Sequence, residues 1–179
     1  ILTTPEYEIL HQKAFTHIKK NKGEFVFEVS SHSISKQRIN HFPINIAAIT
    51  NISKDHLDFH KTILNYRNTK FKLFTQHLKD KGVAVLNDNI SGIVILKKKL
   101  IQKKIKIITY GKRKSNIFCF KKNNKFFIKI FNEIFVLKLL DYNKFELDNL
   151  SCAVGCCISI GIKNKEIINS IEKINKPIG

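Results

Sequence analysis

The sequence predicts an α/β fold, in which a doubly wound, mostly parallel β-sheet carries a small antiparallel β annex. Strand-like and helix-like segments alternate up to residue 111, which is typical of βαβ units. The run INIAAIT (44–50) is apolar throughout, as a strand covered on both faces usually is. From residue 116 the alternation stops, and three strand-like runs follow one another. With 179 residues, 43% of them hydrophobic, the chain is long enough for one globular core.

Hydrophobic periodicity predicts the elements of the parallel part. Within TILNYRNTKFKLFTQHLK (62–79), for example, Ile63, Tyr66 and Phe74 fall near one stripe of a helix. A Lys81-Gly82 stop separates that helix from the next strand. The predicted helices cover residues 6–21, 62–79 and 90–103, and the predicted strands cover 25–29, 44–50, 83–87 and 105–111.

The antiparallel annex is predicted over residues 116–139. Its three runs, NIFCFKK, KFFIKIF and EIFVLKL, are separated by short polar turns at Asn123-Asn124 and Asn132-Glu133, which favours a meander of hairpins. Two further helices are predicted after it, over 147–162 and 165–174. The sequence has no internal repeat and no low-complexity linker, so we expect a single domain.

The formal net charge of +18 is compatible with a polyanionic partner such as nucleic acid. The positive residues are mostly lysines scattered over most segments, and Ile, Asn and Phe are also abundant. This pattern favours a compositional origin of the charge over a binding surface. Because the sequence lacks an arginine-rich stripe and a recognition motif, we expect no nucleic-acid partner, and a basic nucleic-acid-binding module stays as the alternative.

Location is predicted from apolar runs and cysteines. No run reaches the ~18 apolar residues of a membrane span, so we expect no membrane association. The cysteines lack C-x-x-C spacing and have apolar neighbours, which favours reduced thiols in a cytoplasmic protein. We also expect a monomer.

Two clusters of polar residues follow predicted strands. Glu28 to His32 closes the strand 25–29, and Thr50-Asn51 leads from the next strand into Asp55-His56. Ligands of open α/β sheets bind beyond the carboxyl ends of strands, so neighbouring strands would let Glu28 and His56 bind one cation. Either residue alone would more often be a solvated surface group, and the pattern leaves both interpretations open.

These blocks of residues match a known family. FEVSSHSISKQR (27–38), followed by AAITNISKDHLDFHKTILNYRNTKFKLF (47–74), resembles the central domain of the Mur ligases, specifically the MurE type. Thr3-Thr4-Pro5, NLSCAVGCCISIGI and KINKPIG extend the resemblance over nearly the whole chain. The resemblance implies the central ATPase domain of the family, of the P-loop type.

The activity that the resemblance implies is ATP-dependent ligation in peptidoglycan precursor synthesis. The partners would be ATP, UDP-N-acetylmuramoyl-L-alanyl-D-glutamate and a diamino acid, meso-diaminopimelate rather than L-lysine. The ligation passes through an acyl phosphate, and Mg²⁺ neutralises the two anions that meet in that step. Another Mur-type or folylpolyglutamate-like ligase is the nearest alternative, and an inactive relic is a further one.

The resemblance also implies roles for individual residues. Glu28 and His56 are expected to bind Mg²⁺, while Asp55 and Asp58 would orient His56 and His60 would only pack or cap. Lys70, in the Y-x-x-x-K pattern that starts at Tyr66, is expected to be carbamylated and catalytic. The expected contacts to the UDP-muramoyl dipeptide are Thr3, Thr4, Ser30, Lys36 and Arg38.

The chain departs from the family pattern at several points. Lys36-Gln37-Arg38 stands where the family has Gln-x-Arg, Lys61 replaces a usual glycine, and 143–149 keeps only Phe145 and Asn149 of the motif G-x-F-N-x-x-N. The sequence also has no G-x-x-x-x-G-K-[ST] phosphate loop. We therefore expect residues 1–179 to be a central domain truncated at both ends, and to be inactive alone.

Overall fold

The computed structural model describes residues 4–20, 23–53, 55–138 and 141–174. They form two compact units, the first made of residues up to 45 and 52–79, and the second of 46–51 and the residues from 80 onward. No helix of the described residues has the length and apolar character needed to cross a membrane. The two units are considered separately below.

The first unit is mainly helical. Its helices are α1 (Tyr7–Lys19), α2 (Ser31–Ser35), α3 (Leu57–His60) and α4 (Ile63–Lys72), and a π-helical turn (Leu73–His77) continues α4. The helices predicted over 6–21 and 62–79 are thus confirmed in their described parts, although β2 already begins at Leu78. The short helices α2 and α3 were not predicted, because four or five residues are too few to show a hydrophobic repeat.

The strand predicted over 25–29 is wrong. Residues 24–30 have no regular secondary structure and belong to no β-ladder within the described part of the chain. Alternate residues are half-buried, as at Phe25 and Phe27, whereas Val26 is 87% exposed. Apolar content alone cannot make a strand, because its backbone donors and acceptors need a partner strand.

The described residues include six strands that form one sheet. Strands that are consecutive in the sequence are neighbours in the sheet. They are β1 (Ile44–Ile49), β2 (Leu78–Asn87), β3 (Lys106–Tyr110), β4 (Ile117–Lys122), β5 (Lys125–Ile130) and β6 (Glu133–Leu137). The β2–β3 and β3–β4 pairs are parallel, while β4–β5 and β5–β6 are antiparallel. The predicted annex is therefore confirmed, and it continues the parallel sheet instead of standing apart from it.

Helices complete the second unit. α5 (Ile93–Gln102), α6 (Lys144–Ser159) and α7 (Asn164–Ile171) confirm the three predicted helices. Val83 and Val85 of β2 pack in the core cluster that includes residues of α6 and α7. Ala84 and Leu86 point the other way and are also fully buried. Leu96 and Leu100 of α5 are buried outside that cluster, so helices cover both faces, as the predicted α/β fold requires.

The hairpin turns follow simple backbone chemistry. Asn123 and Asn124, between β4 and β5, both have positive φ, as a two-residue hairpin turn requires and asparagine tolerates. The second turn lies at Phe131-Asn132, one residue earlier than predicted, and Glu133 already belongs to β6.

Candidate metal and substrate site

All described residues that the resemblance assigns to the site lie in the first unit. Thr4 is completely buried, and its hydroxyl bridges two backbone groups of the segment 24–30. It donates to the carbonyl oxygen of Glu28 at 2.9 Å and accepts from the N–H of Ser30 at 2.9 Å. The hydroxyl of Thr4 thus makes hydrogen bonds that a neighbouring strand would make in a β-ladder. In this way Thr4 fixes the backbone on both sides of Val29.

Ser30 begins α2. Its hydroxyl accepts from the N–H of Ser33 at 3.1 Å, and the Ser33 hydroxyl donates to the Ser30 carbonyl at 2.7 Å. Such a side-chain acceptor satisfies one of the free donors at a helix start. The serine pair spaced by three residues is therefore the sequence signal for this short helix.

Two predicted site residues of this region are exposed. The side chain of Glu28 makes no hydrogen bond or ion pair within the described residues, and its segment points it to solvent. Lys36 is exposed at the end of α2, where it caps the helix with its backbone N–H. Both charges are therefore available to a ligand.

Arg38, by contrast, already has an anionic partner. Its Nε donates to Glu6 Oε2 at 3.0 Å, and its second guanidinium nitrogen lies 2.8 Å from Glu6 Oε1. Arg38 is 8% exposed, while the side chain of Glu6 is 51% exposed. This bidentate pair uses the geometry in which a guanidinium binds a carboxylate best. Glu6 had not been identified from the sequence.

His56 lies where the chain turns into α3. It adopts the left-handed conformation, with φ 54° and ψ 31°. The carboxylate of Asp55 accepts the backbone N–H of His56 at 2.8 Å, and its other oxygen lies 3.4 Å from His56 Nε2. The imidazole is 44% exposed. Asp55 is therefore in contact with both the backbone and the ring of His56. The backbone carbonyl of Asp58 accepts from Lys61 Nζ.

His60 is a buried, hydrogen-bonded histidine. It is 6% exposed, and its Nε2 lies 2.9 Å from the hydroxyl of Ser31. Burial lowers the pKa of His60, and the nearby His32 and His56 lower that pKa further. The hydrogen bond to Ser31 connects α3 with α2.

Lys61 ends α3 in a strained conformation. With φ 65° and ψ −38°, it stands at the centre of a γ-turn, in which the Thr62 N–H donates to the His60 carbonyl at 2.8 Å. This turn with positive φ is rare for residues with a side chain. The geometry explains why a glycine would be favoured where this chain has lysine.

Tyr66 and Lys70 stand one helical turn apart on α4. Tyr66 is 4% exposed, and its ring contacts those of His56 and His60, with centroids 6.0 and 5.2 Å apart. The Nζ of Lys70 lies 4.9 Å from the Tyr66 ring centroid, within the range of a cation–π contact. The ring of Tyr66 therefore contacts both Lys70, the other member of the predicted Y-x-x-x-K pair, and His56.

The two motif blocks also meet through His32. Its ring centroid lies 4.9 Å from that of His56 and 4.3 Å from that of Phe59, so EVSSH and DHLDFH are neighbours. The described residues contain no group of three or more His, Cys, Asp or Glu side chains arranged to hold a metal. The carboxylate of Glu28 and the imidazole of His56 are nevertheless ligand types that Mg²⁺ accepts, because Mg²⁺ keeps several waters and needs few protein ligands.

Three residues of this arrangement had no individual role predicted from the sequence: Glu6, Ser31 and His32. Each is defined by a long-range contact that no local pattern shows. Thr3 lies outside the described residues.

Comparison with known proteins agrees with these motifs. The profile of the Mur ligase middle domain matches residues 1–157. The UDP-N-acetylmuramoyl-L-alanyl-D-glutamate--2,6-diaminopimelate ligase of Rickettsia prowazekii (strain Madrid E) is 34% identical over 181 aligned residues, which cover 99% of this chain and 38% of that protein. The chain thus spans about two fifths of the length of this curated relative.

Solved structures share the fold. A structure of a UDP-N-acetylmuramoyl-L-alanyl-D-glutamate--2,6-diaminopimelate ligase aligns with a TM-score of 0.80 at 24% identity, over 99% of this chain and 38% of that one. The MurF ligase of Thermotoga maritima in complex with ADP aligns with a TM-score of 0.63 at 17% identity, over 83% of this chain and 34% of its own. From the matched profile and the identity to the curated relative, the chain belongs to the Mur ligase family.

Proposed function

We propose that the chain belongs to an ATP-dependent ligase that adds meso-diaminopimelate to UDP-N-acetylmuramoyl-L-alanyl-D-glutamate. The observation that carries this proposal is the 34% identity, over 99% of the chain, to a ligase named for that reaction. The meeting of the EVSSH and DHLDFH blocks through His32 and His56 supports it. Binding of ADP by a related ligase of the same fold supports ATP as the nucleotide.

The reaction needs an activated carboxylate, because a carboxylate does not react with an amine at neutral pH. A carboxylate oxygen of the dipeptide's glutamate attacks the γ-phosphorus of ATP, ADP leaves, and the amine then displaces phosphate from the acyl phosphate. Mg²⁺ supplies neutralisation of charge between the two anions when it is bound. Glu28 and His56 would hold it, and Asp55 would fix the orientation of His56.

Lys70 is proposed as the catalytic carbamate. The neutral amine nitrogen attacks the carbon of CO₂, an N–C bond forms, and the nitrogen loses a proton to solvent. The product is a carboxylate on a side chain that was cationic. The half-buried position of Lys70 on α4 supports this role. The test is Lys70→Ala in the complete protein: ligation should be lost and partly restored by acetate, whereas normal turnover would contradict the role.

Ser30 and Lys36 are proposed as contacts to the UDP-muramoyl dipeptide, and Thr3 shares that role by resemblance. The exposed ammonium of Lys36 suits an anionic group of the substrate. Thr4 and Arg38 are proposed as further contacts to the same substrate, as the resemblance implies.

We further propose that residues 1–179 are the central domain of a longer ligase, with 116–139 as its antiparallel annex. The phosphate-binding loop and the amino-acid site would then come from other segments. The cytoplasmic location and the monomeric state expected from the sequence remain predictions.

The experiment is ligation by the protein expressed from the complete coding sequence. We expect ATP-dependent product with the UDP-muramoyl dipeptide and meso-diaminopimelate, less with L-lysine, and none with a tetrahydrofolate substrate and glutamate. Product only with folate would favour the folylpolyglutamate-like alternative. The absence of product with every substrate would favour an inactive relic.

A further inference from the structure

The backbone of His56 is fixed more firmly than its imidazole ring. The His56 carbonyl accepts from the N–H groups of Phe59 at 3.2 Å and His60 at 2.9 Å, which fixes the backbone at the start of α3. The ring can still turn about the two side-chain bonds. Asp55 Oδ2 lies 3.4 Å from His56 Nε2, and the two side chains are 58% and 44% exposed. An ion pair of this length between solvated groups holds the ring only weakly.

Two other rings contact the His56 imidazole, and both stand nearly perpendicular to it. The His32 centroid lies 4.9 Å away at an interplanar angle of 89°, and the Tyr66 centroid lies 6.0 Å away at 74°. Aromatic rings favour this edge-to-face arrangement. Because rotation of the His56 ring would break the arrangement with both neighbours, the two contacts favour one orientation of that ring. His32 makes the nearer and more nearly perpendicular of the two contacts.

His32 is itself held from several sides. It lies in α2, whose first turn is closed by a side-chain hydrogen bond. Its ring contacts that of Phe59 at a centroid distance of 4.3 Å and that of His60 at 5.7 Å. His60 is in turn hydrogen-bonded to Ser31 of α2. A ring anchored in this way can restrict the motion of His56.

We propose that His32 is a positioning residue, whose ring sets the orientation of the His56 imidazole so that one ring nitrogen of His56 is presented to the metal. The planar ring of His32 performs this role through packing, and its nitrogen atoms are not required. A ligand that is already oriented binds its metal more tightly, because less freedom is lost on binding. This inference rests on the proposed function, since it takes His56 as a magnesium ligand.

The test compares His32→Ala, which removes the ring, with His32→Phe, which keeps a planar ring without nitrogen atoms. His11→Ala is the matched control. His11 is also half-buried in the first unit, and its ring contacts those of Tyr7 at 4.2 Å and Phe42 at 4.9 Å. This control therefore removes a histidine ring of similar packing from α1 instead of α2. All variants are made in the complete protein.

Two quantities are measured in each variant. The first is the affinity for Mn²⁺, from the electron paramagnetic resonance signal of free Mn²⁺. The second is the motion of the His56 ring in the metal-free protein, from carbon-13 relaxation of its ring C–H groups. We expect His32→Ala to weaken Mn²⁺ binding about tenfold, as the loss of a group that orients a metal ligand does, and to increase the motion of the His56 ring. His32→Phe and His11→Ala should stay within about twofold of the wild type in Mn²⁺ affinity.

Three outcomes would overturn the proposal. Unchanged Mn²⁺ affinity and unchanged His56 ring motion in His32→Ala would show that the ring contact orients nothing. An equal loss of affinity in His11→Ala would show a general effect of lost packing. A loss in His32→Phe as large as that in His32→Ala, with unchanged His56 ring motion, would show that a nitrogen of His32 binds the metal directly.

His32→Leu keeps the inference testable if His32→Ala does not fold. Leucine fills most of the space but has no planar ring to stand edge-to-face with His56. His32→Leu should therefore weaken Mn²⁺ binding and increase the motion of the His56 ring, while His32→Phe does neither. Wild-type values of both quantities in His32→Leu would overturn the proposal.

The Mn²⁺ measurement also separates this inference from the proposed function. If the wild-type protein binds Mn²⁺ but does not ligate, the proposed function fails, and the comparison of the His32 variants with the wild type still decides the positioning role. A wild-type protein that binds no Mn²⁺ overturns the inference, because His56 is then not a metal ligand.

Discussion

The two compact units of the chain are stabilised in different ways. In the second unit, β-ladders satisfy the backbone, and apolar side chains fill the space between sheet and helices. In the first unit, helices satisfy much of the backbone, and side chains satisfy backbone groups outside them, as Thr4 does at segment 24–30 and Ser30 does at the start of α2. Most of the buried polar residues among the described positions belong to the first unit: Thr4, Ser31, Ser33, Arg38, His60 and Thr69, against Asn87, Ser115 and Ser151 in the second.

This difference between the units indicates where substitutions are tolerated. An apolar core accepts residues of similar volume, whereas a buried polar contact fails when either partner changes. The unit that holds the motifs should therefore respond to pH and to single polar substitutions, and the sheet unit should respond to lost volume.

The largest effect is expected in the core of the sheet. Ile128 of β5 is completely buried, so Ile128→Ala should lower the free energy of unfolding by about 3 kcal/mol, through lost burial and a residual cavity. The control is Ile134→Ala on neighbouring β6, where the side chain is 62% exposed, with an expected cost below about 1 kcal/mol. Urea titration measures the free energy of unfolding of both variants. Equal losses would contradict the expected difference between a buried and an exposed side chain.

A smaller effect, dependent on pH, is expected in the first unit. Burial lowers the pKa of His60 below its value in the unfolded chain. The unfolded state then binds more protons in the interval between the two pKa values, so stability is full above about pH 6.5 and falls as the pH drops through that interval. His60→Gln should lose about 1 kcal/mol at pH 7.5 and show a shallower decline towards pH 5.5.

The control for this effect is His77→Gln. Burial, and next the charge of Lys72, lower the pKa of His77, so it should contribute to the same decline from outside the site. Hydrogen exchange followed by mass spectrometry would locate each change. A decline that is unaltered in His60→Gln would show that His60 does not make the first unit sensitive to acid.

Two lysines with positive φ, one in each unit, are expected to differ in backbone strain. Lys61 occupies a γ-turn in the first unit, whereas Lys104, with φ 56°, follows α5 in the second. There the N–H groups of Lys104 and Ile105 donate to the carbonyls of Ile101 and Leu100, the common way to end a helix. Lys61→Gly should gain about 1 kcal/mol and Lys104→Gly about 0.5 kcal/mol in thermal or urea unfolding. A greater gain at Lys104 would contradict strain at Lys61.

The smallest effect concerns Glu146, a departure from the family motif that has a structural role. Glu146 Oε2 accepts the N–H of Asn143, and Asn143 Oδ1 accepts the N–H of Glu146, forming a capping box at the start of α6. Glu146→Ala should cost about 0.3 kcal/mol, since the lost bond is partly offset by the helix propensity of alanine. Glu146→Gln can keep the box and should be nearly neutral. An equal loss of stability in both variants would show that the negative charge of Glu146, and not its hydrogen bond, stabilises α6.

Prediction from the sequence succeeded where local pattern and final structure coincide. The periodicity of 90–103 and of 165–174, and the paired asparagines at 123–124, specify helices and a turn without reference to distant residues. It failed at 25–29, where the strand needs a partner, and at α2 and α3, which depend on Ser30 and on the left-handed His56. Within the site, the motifs identified Glu28, His56 and Lys70 as candidates but gave no sign of Glu6.

The sequence by itself determined the α/β class, the antiparallel annex and the family, because hydrophobic period, turn residues and ordered motifs are local properties of the chain. Only the tertiary structure decided which polar groups bind other parts of the protein. The fold buries Thr4, whose hydroxyl bonds the Glu28 carbonyl, and it pairs Arg38 with Glu6, and neither contact is visible in the sequence. The physical reason is that a hydrogen-bonding group has a fixed capacity, and whether a ligand or the protein uses it depends on which residues the fold brings within about 3 Å.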